Sequence, residues 1–229
     1  MALVIGRGAR AFGNETERTL RIDLDGSVLM KPGAAIAYRG ALAFERLPTI
    51  GAASATGALL REAEPLVCVT GKGRLYCGHH GAHVGVVQLA GEPIIVSSSD
   101  VLAFESSLEV EPGLVAHGAG VASGGLCVFR FSGHGSLALL QHGQPITLDV
   151  SPENPVSTDP HATVAWSAGL TPALRIDVSW RSAFGHGGRQ PVQMYFEGSG
   201  FVVVQPYQRA GWFDADPHPL RKVVSLVTA

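Results

Sequence analysis

Among the places where two glycines flank a single residue, four follow one another along this chain at a nearly constant interval. Gly6/Gly8, Gly71/Gly73, Gly133/Gly135 and Gly198/Gly200 are separated by 65, 62 and 65 residues. So weak a motif gains meaning only if other positions keep step with it, and they do. A shift of 62 residues pairs Leu75 with Leu137, His80 with His142, Gly81 with Gly143 and Pro93 with Pro155. The same shift pairs Ala103 with Ala165, Phe104 with Trp166 and Leu108 with Leu170, in order and without a gap. The N-terminal part joins at a slightly different offset. Leu24-Asp-Gly26 matches Leu89-Ala-Gly91 at 65 and, after a one-residue gap, Ile36-Ala-Tyr38 matches Leu102-Ala-Phe104 at 66. The sequence therefore predicts three related modules, residues 1–65, 66–127 and 128–205, the last with a closing strand around 194–204. Residues 206–229 form a C-terminal extension outside the repeat.

Each module reads as strands and tight turns. Leu66–Thr70, Cys127–Phe131 and Val192–Phe196 are short, rich in β-formers, and each runs into a glycine pair. Glycine takes up positive φ at little steric cost, which suits a bulge or a chain reversal. A second apolar run follows each pair: Arg74–Cys77, Ser136–Leu140 and Phe201–Val204. His80-Gly81 and His142-Gly143 then read as the next turn. The aromatics Tyr38, Phe104 and Trp166 are expected to anchor the same core layer in each module. With 29 glycines and 14 prolines, long helical periodicity is missing. Three stretches read as connectors, 48–65, 112–125 and 182–191, and the first holds a candidate turn of helix at Gly57–Ala63. The fold class expected is all-β.

At 229 residues, 46% hydrophobic and only 16% charged, the chain is long enough and apolar enough to bury a core, which excludes disorder. A formal net charge of −2 gives no support to DNA or an anionic surface as a partner recognised by bulk charge. No run of apolar residues is long enough to span a membrane as a helix, and the start does not read as a signal peptide. Cys68, Cys77 and Cys127 are odd in number and lie in strand-like segments, as small buried hydrophobes in a reducing cytoplasm would.

Several strings resemble a known family. They are Met30-Lys-Pro-Gly-Ala-Ala-Ile-Ala-Tyr38, Phe104-Glu-Ser106, Gly124-Gly-Leu126, Phe131-Ser-Gly-His-Gly135 and Val164-Ala-Trp-Ser-Ala-Gly-Leu170. Together they resemble the mitochondrial biogenesis family named for altered inheritance of mitochondria, in its bacterial members, over roughly residues 20–205. The resemblance implies repeated β-sandwich-like modules of the double-stranded β-helix type, similar to the tryptophan RNA-binding attenuation protein. It also implies homo-oligomerisation, and it brings no catalytic motif.

Histidine is where metal chemistry would have to begin. His79, His80 and His83 could present imidazoles to a metal. The His-x-His followed by a close glutamate of metal-binding β-helix folds is missing, since Glu92 comes too late and only His80 recurs in the repeat, as His142. Solvated turn histidines, no metal and no cofactor are the expectation. Asp159-Pro-His161 and Asp216-Pro-His218 echo each other out of register with the repeat and read as turn starts. Gly71-Lys72-Gly73 lacks the rest of a phosphate loop, and Gly198-Ser199-Gly200 is preceded by Glu197, not by the glycine of a nucleophile elbow. For RNA, Lys72, Arg74 and Tyr76 are the modest candidate, but His134, Ser136 and Ala138 replace them in the next module.

The reading is a non-catalytic, homo-oligomeric scaffold or interaction module, with peripheral membrane association open to it. A small-ligand or metal-binding β-barrel with enzymatic activity, and RNA binding, are the competing classes.

Overall fold

In the computed structural model, residues 11–47, 66–115, 126–176 and 192–206 are described. They form antiparallel strands and one short 3-10 turn at Ser98–Asp100. The first part of the chain supplies β1 (Phe12–Thr16), β2 (Thr19–Met30) and β3 (Ala35–Arg46). Next come β4 (Val67–Cys77), β5 (His83–Ala90), β6 (Ile94–Ser97), β7 (Val101–Glu105) and β8 (Glu109–Val115). They are followed by β9 (Leu126–Ser132), β10 (His134–Gln141), β11 (Ile146–Val150), β12 (Val156–Thr158), β13 (Thr163–Ser167) and β14 (Ala173–Ile176). The described part ends with β15 (Val192–Phe196) and β16 (Gly200–Val204). Three sheets result. A seven-stranded sheet runs β3-β4-β2-β7-β10-β5 with β1 also on β2, a six-stranded sheet runs β11-β16-β13-β6-β9-β8, and a three-stranded sheet runs β12-β15-β14.

Side-chain alternation explains why these segments are strands. Along β2, Leu20, Ile22 and Leu24 point inward while Arg21 and Asp23 between them stay partly open to solvent. On the neighbouring β4, Arg74 lies opposite Asp23 and Lys72 opposite Asp25, so the outer face of the pair is laced by opposite charges. The expected connector at 112–125 begins later than the sequence suggested: Pro112–Val115 belong to β8. Among the described residues that strand is bonded only to β9 and lies at the sheet edge, where a proline's missing N–H costs least. Gly57–Ala63, residues 182–191, Asp216-Pro-His218 and the extension from 207 onward lie outside the described residues.

Gly6/Gly8 lies outside the described residues, and the other three glycine pairs do not reverse the chain. β9 pairs with β6 and β8 in the six-stranded sheet, passes Gly133 at φ +95°, and continues as β10 between β7 and β5 in the seven-stranded sheet. β15 and β16 do the same across Gly198 at φ +120°, leaving the three-stranded sheet for the six-stranded one. β4 runs through Gly71 and Gly73 within one sheet. There a Cβ on Gly71 would collide with the Ala41 carbonyl oxygen, so the bare backbone lets β3 approach. A bend that redirects a continuous strand, in place of a turn, is what positive φ achieves here.

Strand register carries numerical coincidences. Tyr38 lies opposite Leu75, Phe104 opposite Leu137, and Trp166 opposite Val202. In each of these three pairings the register slips by one residue at the same relative place: between Ala35 and Ala37, between Val101 and Ala103, and between Thr163 and Ala165. The extra residues at these bulges are Ile36, Leu102 and Val164. On its other side, β7 takes β2 with Leu29 opposite Phe104, and β13 takes β6 with Ile95 opposite Trp166. Among the described residues, β3 is hydrogen-bonded to β4 alone.

That difference corrects the expectation for the three aromatics. Phe104 and Trp166 are 1% and 0% exposed and meet Phe131 and Phe196 edge-on, with ring centroids 5.1 and 5.6 Å apart. Tyr38 is 56% exposed and anchors no core layer. The bulge residues divide the same way: Leu102 and Val164 are buried, whereas Ile36 is 62% exposed. The missing second neighbour on β3 is the cause.

Three apolar clusters follow one another through the molecule. The first gathers Phe12, Leu20, Ile22, Leu75 and Val86, and the second Val96, Phe104, Phe131, Leu137 and Val203. The third gathers Trp166, Leu170, Met194, Phe196 and Val202. Burying each such side chain stabilises the fold by about 1.5–3 kcal/mol.

Candidate interaction surface

The most prominent surface feature is β3. All of its residues but Leu42 are exposed, and of the four large apolar side chains most open to solvent among the described residues, three, Ile36, Tyr38 and Phe44, sit on it. Tyr38 and Phe44 pack against each other, their ring centroids 5.1 Å apart and tilted by 59°, which makes one aromatic ridge. Arg39, Glu45 and Arg46 share the strand, so the ridge is flanked by charge. The fourth exposed apolar side chain, Ile146, opens β11 far along the chain. A long, unpaired strand edge beside exposed apolar groups is a template for pairing with another chain. Sequence reasoning missed this surface. The only signal was a tyrosine with a neighbouring arginine where the matching positions hold Phe104-Glu105 and Trp166-Ser167.

The histidines lie elsewhere. His80 has φ +47° in the turn before Gly81, and the His79 and His80 rings meet edge-on at 4.2 Å. His83 opens β5, its Nε2 3.7 Å from Glu17 Oε2. The described residues hold no group of three or more His, Cys, Asp or Glu side chains placed to bind a metal ion. Asp159-Pro-His161 is a turn held locally: Asp159 Oδ1 accepts the His161 N–H at 2.8 Å, and Thr163 Oγ1 donates to the Asp159 carbonyl at 2.7 Å. His142 N–H is taken by Gln205 Oε1 at 2.8 Å, which ties that turn to the end of β16.

Of the cationic residues considered for RNA, Lys72 Nζ donates to Asp25 Oδ2 at 2.8 Å and Arg74 Nε donates to Asp23. Both cations are held in their charged form by these hydrogen bonds, with pKa values above the ordinary ones. Each is paired with a carboxylate of β2. Cys77 is buried, and desolvation pushes its thiol up to about 12, well away from a reactive thiolate. A pocket of about 150 Å³, lined by Lys31, Pro32, Leu66, Ser98, Ser99, Val101 and Phe129, is smaller than the sites that engulf drug-sized ligands.

These sheets place the chain among all-β proteins, antiparallel throughout its described pairings. The chain belongs to the family described as Mitochondrial biogenesis AIM24, whose model matches residues 10–207. Among solved structures it is similar to protein SPYM3_0169 from Streptococcus pyogenes, determined by X-ray crystallography. The TM-score is 0.66 at 19% identity, covering 86% of this chain and 93% of that one. That likeness is one of fold. No match is found among curated proteins. No helix among the described residues is long and apolar enough to cross a membrane.

Proposed function

We propose that the chain is a non-catalytic interaction module that works as a homo-oligomer, a scaffold in membrane or envelope organisation. Its three β modules, 1–65, 66–127 and 128–205, are copies of one unit of the double-stranded β-helix type, similar to the tryptophan RNA-binding attenuation protein. The register coincidences around Tyr38, Phe104 and Trp166 support the repeat.

The observation that carries the reading is the exposure of Ile36, Tyr38 and Phe44 on a strand bonded, among the described residues, on one side only. Apolar groups of that size in water favour association, each gaining up to about 1.5–3 kcal/mol if fully covered.

Native mass spectrometry of the untagged protein, paired with elemental analysis, tests it. A defined metal-free oligomer is the expected result. A monomer at all concentrations, or a stoichiometric metal or retained small molecule, would overturn the scaffold reading and turn attention to His79, His80 and His83.

A further inference from the structure

Two strand edges in this chain are each half of a junction that the chain itself completes twice. In the first junction β7 lies against β2, with Leu29 opposite Phe104; in the second β13 lies against β6, with Ile95 opposite Trp166. From one junction to the next, the first partner advances by 66 residues and the second by 62. Carrying Ile95 forward by 62 reaches Ser157, in β12, and carrying Phe104 back by 66 reaches Tyr38, in β3. Among the described residues both strands stand at sheet edges: β12 is bonded to β15 alone, and β3 to β4 alone.

We infer that β12 of one copy pairs antiparallel with β3 of the next, with Ser157 opposite Tyr38, Thr158 opposite Ala37 and Val156 opposite Arg39. The inference rests on the self-association proposed above and gives it a register and a polarity.

Burial argues for a second copy as the occupant. Ile36 and Tyr38 are exposed where their counterparts Leu102 and Phe104, and again Val164 and Trp166, are buried. The other end shows the complementary defect. Ile146 is 57% exposed, whereas Val84, 62 residues earlier, is buried; Leu148 is half-buried, whereas Val86 is buried. The first module lacks a neighbour on one side and the third lacks one on the other. Only a chain of this same pattern offers both missing halves at once. Charge does not decide the match: Arg39, Glu45 and Arg46 accompany β3, while Asp149 and Glu153 lie exposed in and beside β11 and β12. Because the two surfaces differ, the contact is head-to-tail. Its repetition builds a ring, or a filament where the rotation fails to close.

Disulfide trapping in the full-length protein tests this. Directly opposed residues of an antiparallel pair have Cα atoms about 4.5–5.5 Å apart, within reach of a disulfide. Two single variants, Tyr38→Cys and Ser157→Cys, are oxidised separately and as a mixture, and peptide mapping locates the bridge. Native mass spectrometry of the unmodified protein runs alongside. The expected result is a covalent dimer bridged between positions 38 and 157, formed in the mixture and in neither variant alone. A Tyr38→Cys homodimer would overturn the head-to-tail polarity and replace it with a symmetric β3–β3 contact. An oligomer in which no bridge forms would overturn this interface while leaving self-association standing. A monomeric protein would overturn both. As a second readout, Ile36→Glu, at a site with no core role, is expected to weaken association about tenfold or more with an unchanged far-ultraviolet circular dichroism spectrum. Unchanged association would count against the interface.

Discussion

Tyr38, Phe104 and Trp166 occupy matching places in the sequence and very different places in space, so the same truncation should have very different consequences. Phe104→Ala and Trp166→Ala each remove a fully buried ring and should cost about 3–5 kcal/mol in equilibrium urea unfolding. Tyr38→Ala, measured at concentrations low enough to keep chains apart, should stay within about 0.5 kcal/mol. Equal losses at all three positions would mean that Tyr38 is covered within the single chain. Cys77 offers a second residue-level test. Its thiol, ordinarily near 9.0, is raised to about 12 by burial, so the folded state holds its proton more tightly than the unfolded chain does. Stability from this group is complete below pH 9 and falls as pH rises from about 9 toward about 12, by up to about 1.4 kcal/mol per pH unit. Cys77→Ala should flatten that part of the alkaline stability profile, and a thiol reagent should reach Cys77 only on unfolding.

For the strands, the glycines set the cost. A Cβ added at Gly133 would make only an ordinary contact, with the Ser107 carbonyl oxygen at 3.5 Å, so Gly133→Ala should suffer only from its positive φ, about 1–3 kcal/mol. Gly71→Ala adds a backbone collision with Ala41 and should lose at least as much, with β3 displaced from β4. Urea midpoints of the two variants decide it; a neutral Gly133→Ala would mean the crossing relaxes freely. This scale also shows what the sequence made legible. Strand positions, the all-β class and the rhythm of glycine pairs follow from alternation, β-branched runs and turn chemistry, all of which are local. That β9 and β10 belong to different sheets does not, because sheet membership depends on partners dozens of residues away. Exposure of Tyr38 was hidden for a related reason. Matching positions reveal shared descent or shared geometry, whereas burial depends on whether a neighbouring strand exists, and among the described residues β3 has one neighbour where β7 and β13 have two. Adjacency of the histidines in sequence is not convergence in space. His80 turns with Gly81, while His83 has already entered β5 facing Glu17.

Taken whole, the molecule is a succession of three clusters linked by strands that serve two sheets. β10 is held between β7 and β5 in one sheet while its continuation β9 is held between β6 and β8 in another. Loosening one sheet therefore withdraws support from the other, and the chain should not melt piece by piece. In dilute solution, scanning calorimetry should show a single transition with a calorimetric to van't Hoff enthalpy ratio of about one; two resolved peaks would contradict the coupling. The crossing at Gly133 also has a bearing on how such a gene can change. Substitutions can drift separately on either side of it, as the unlike surfaces of β3 and β13 illustrate. A break in the reading frame there is a different matter, because the strand that completes the earlier sheet is encoded after the strand that begins the later one. Neither half carries the instructions for a finished seven- or six-stranded sheet, so the gene is free to diversify its parts and bound to inherit them together.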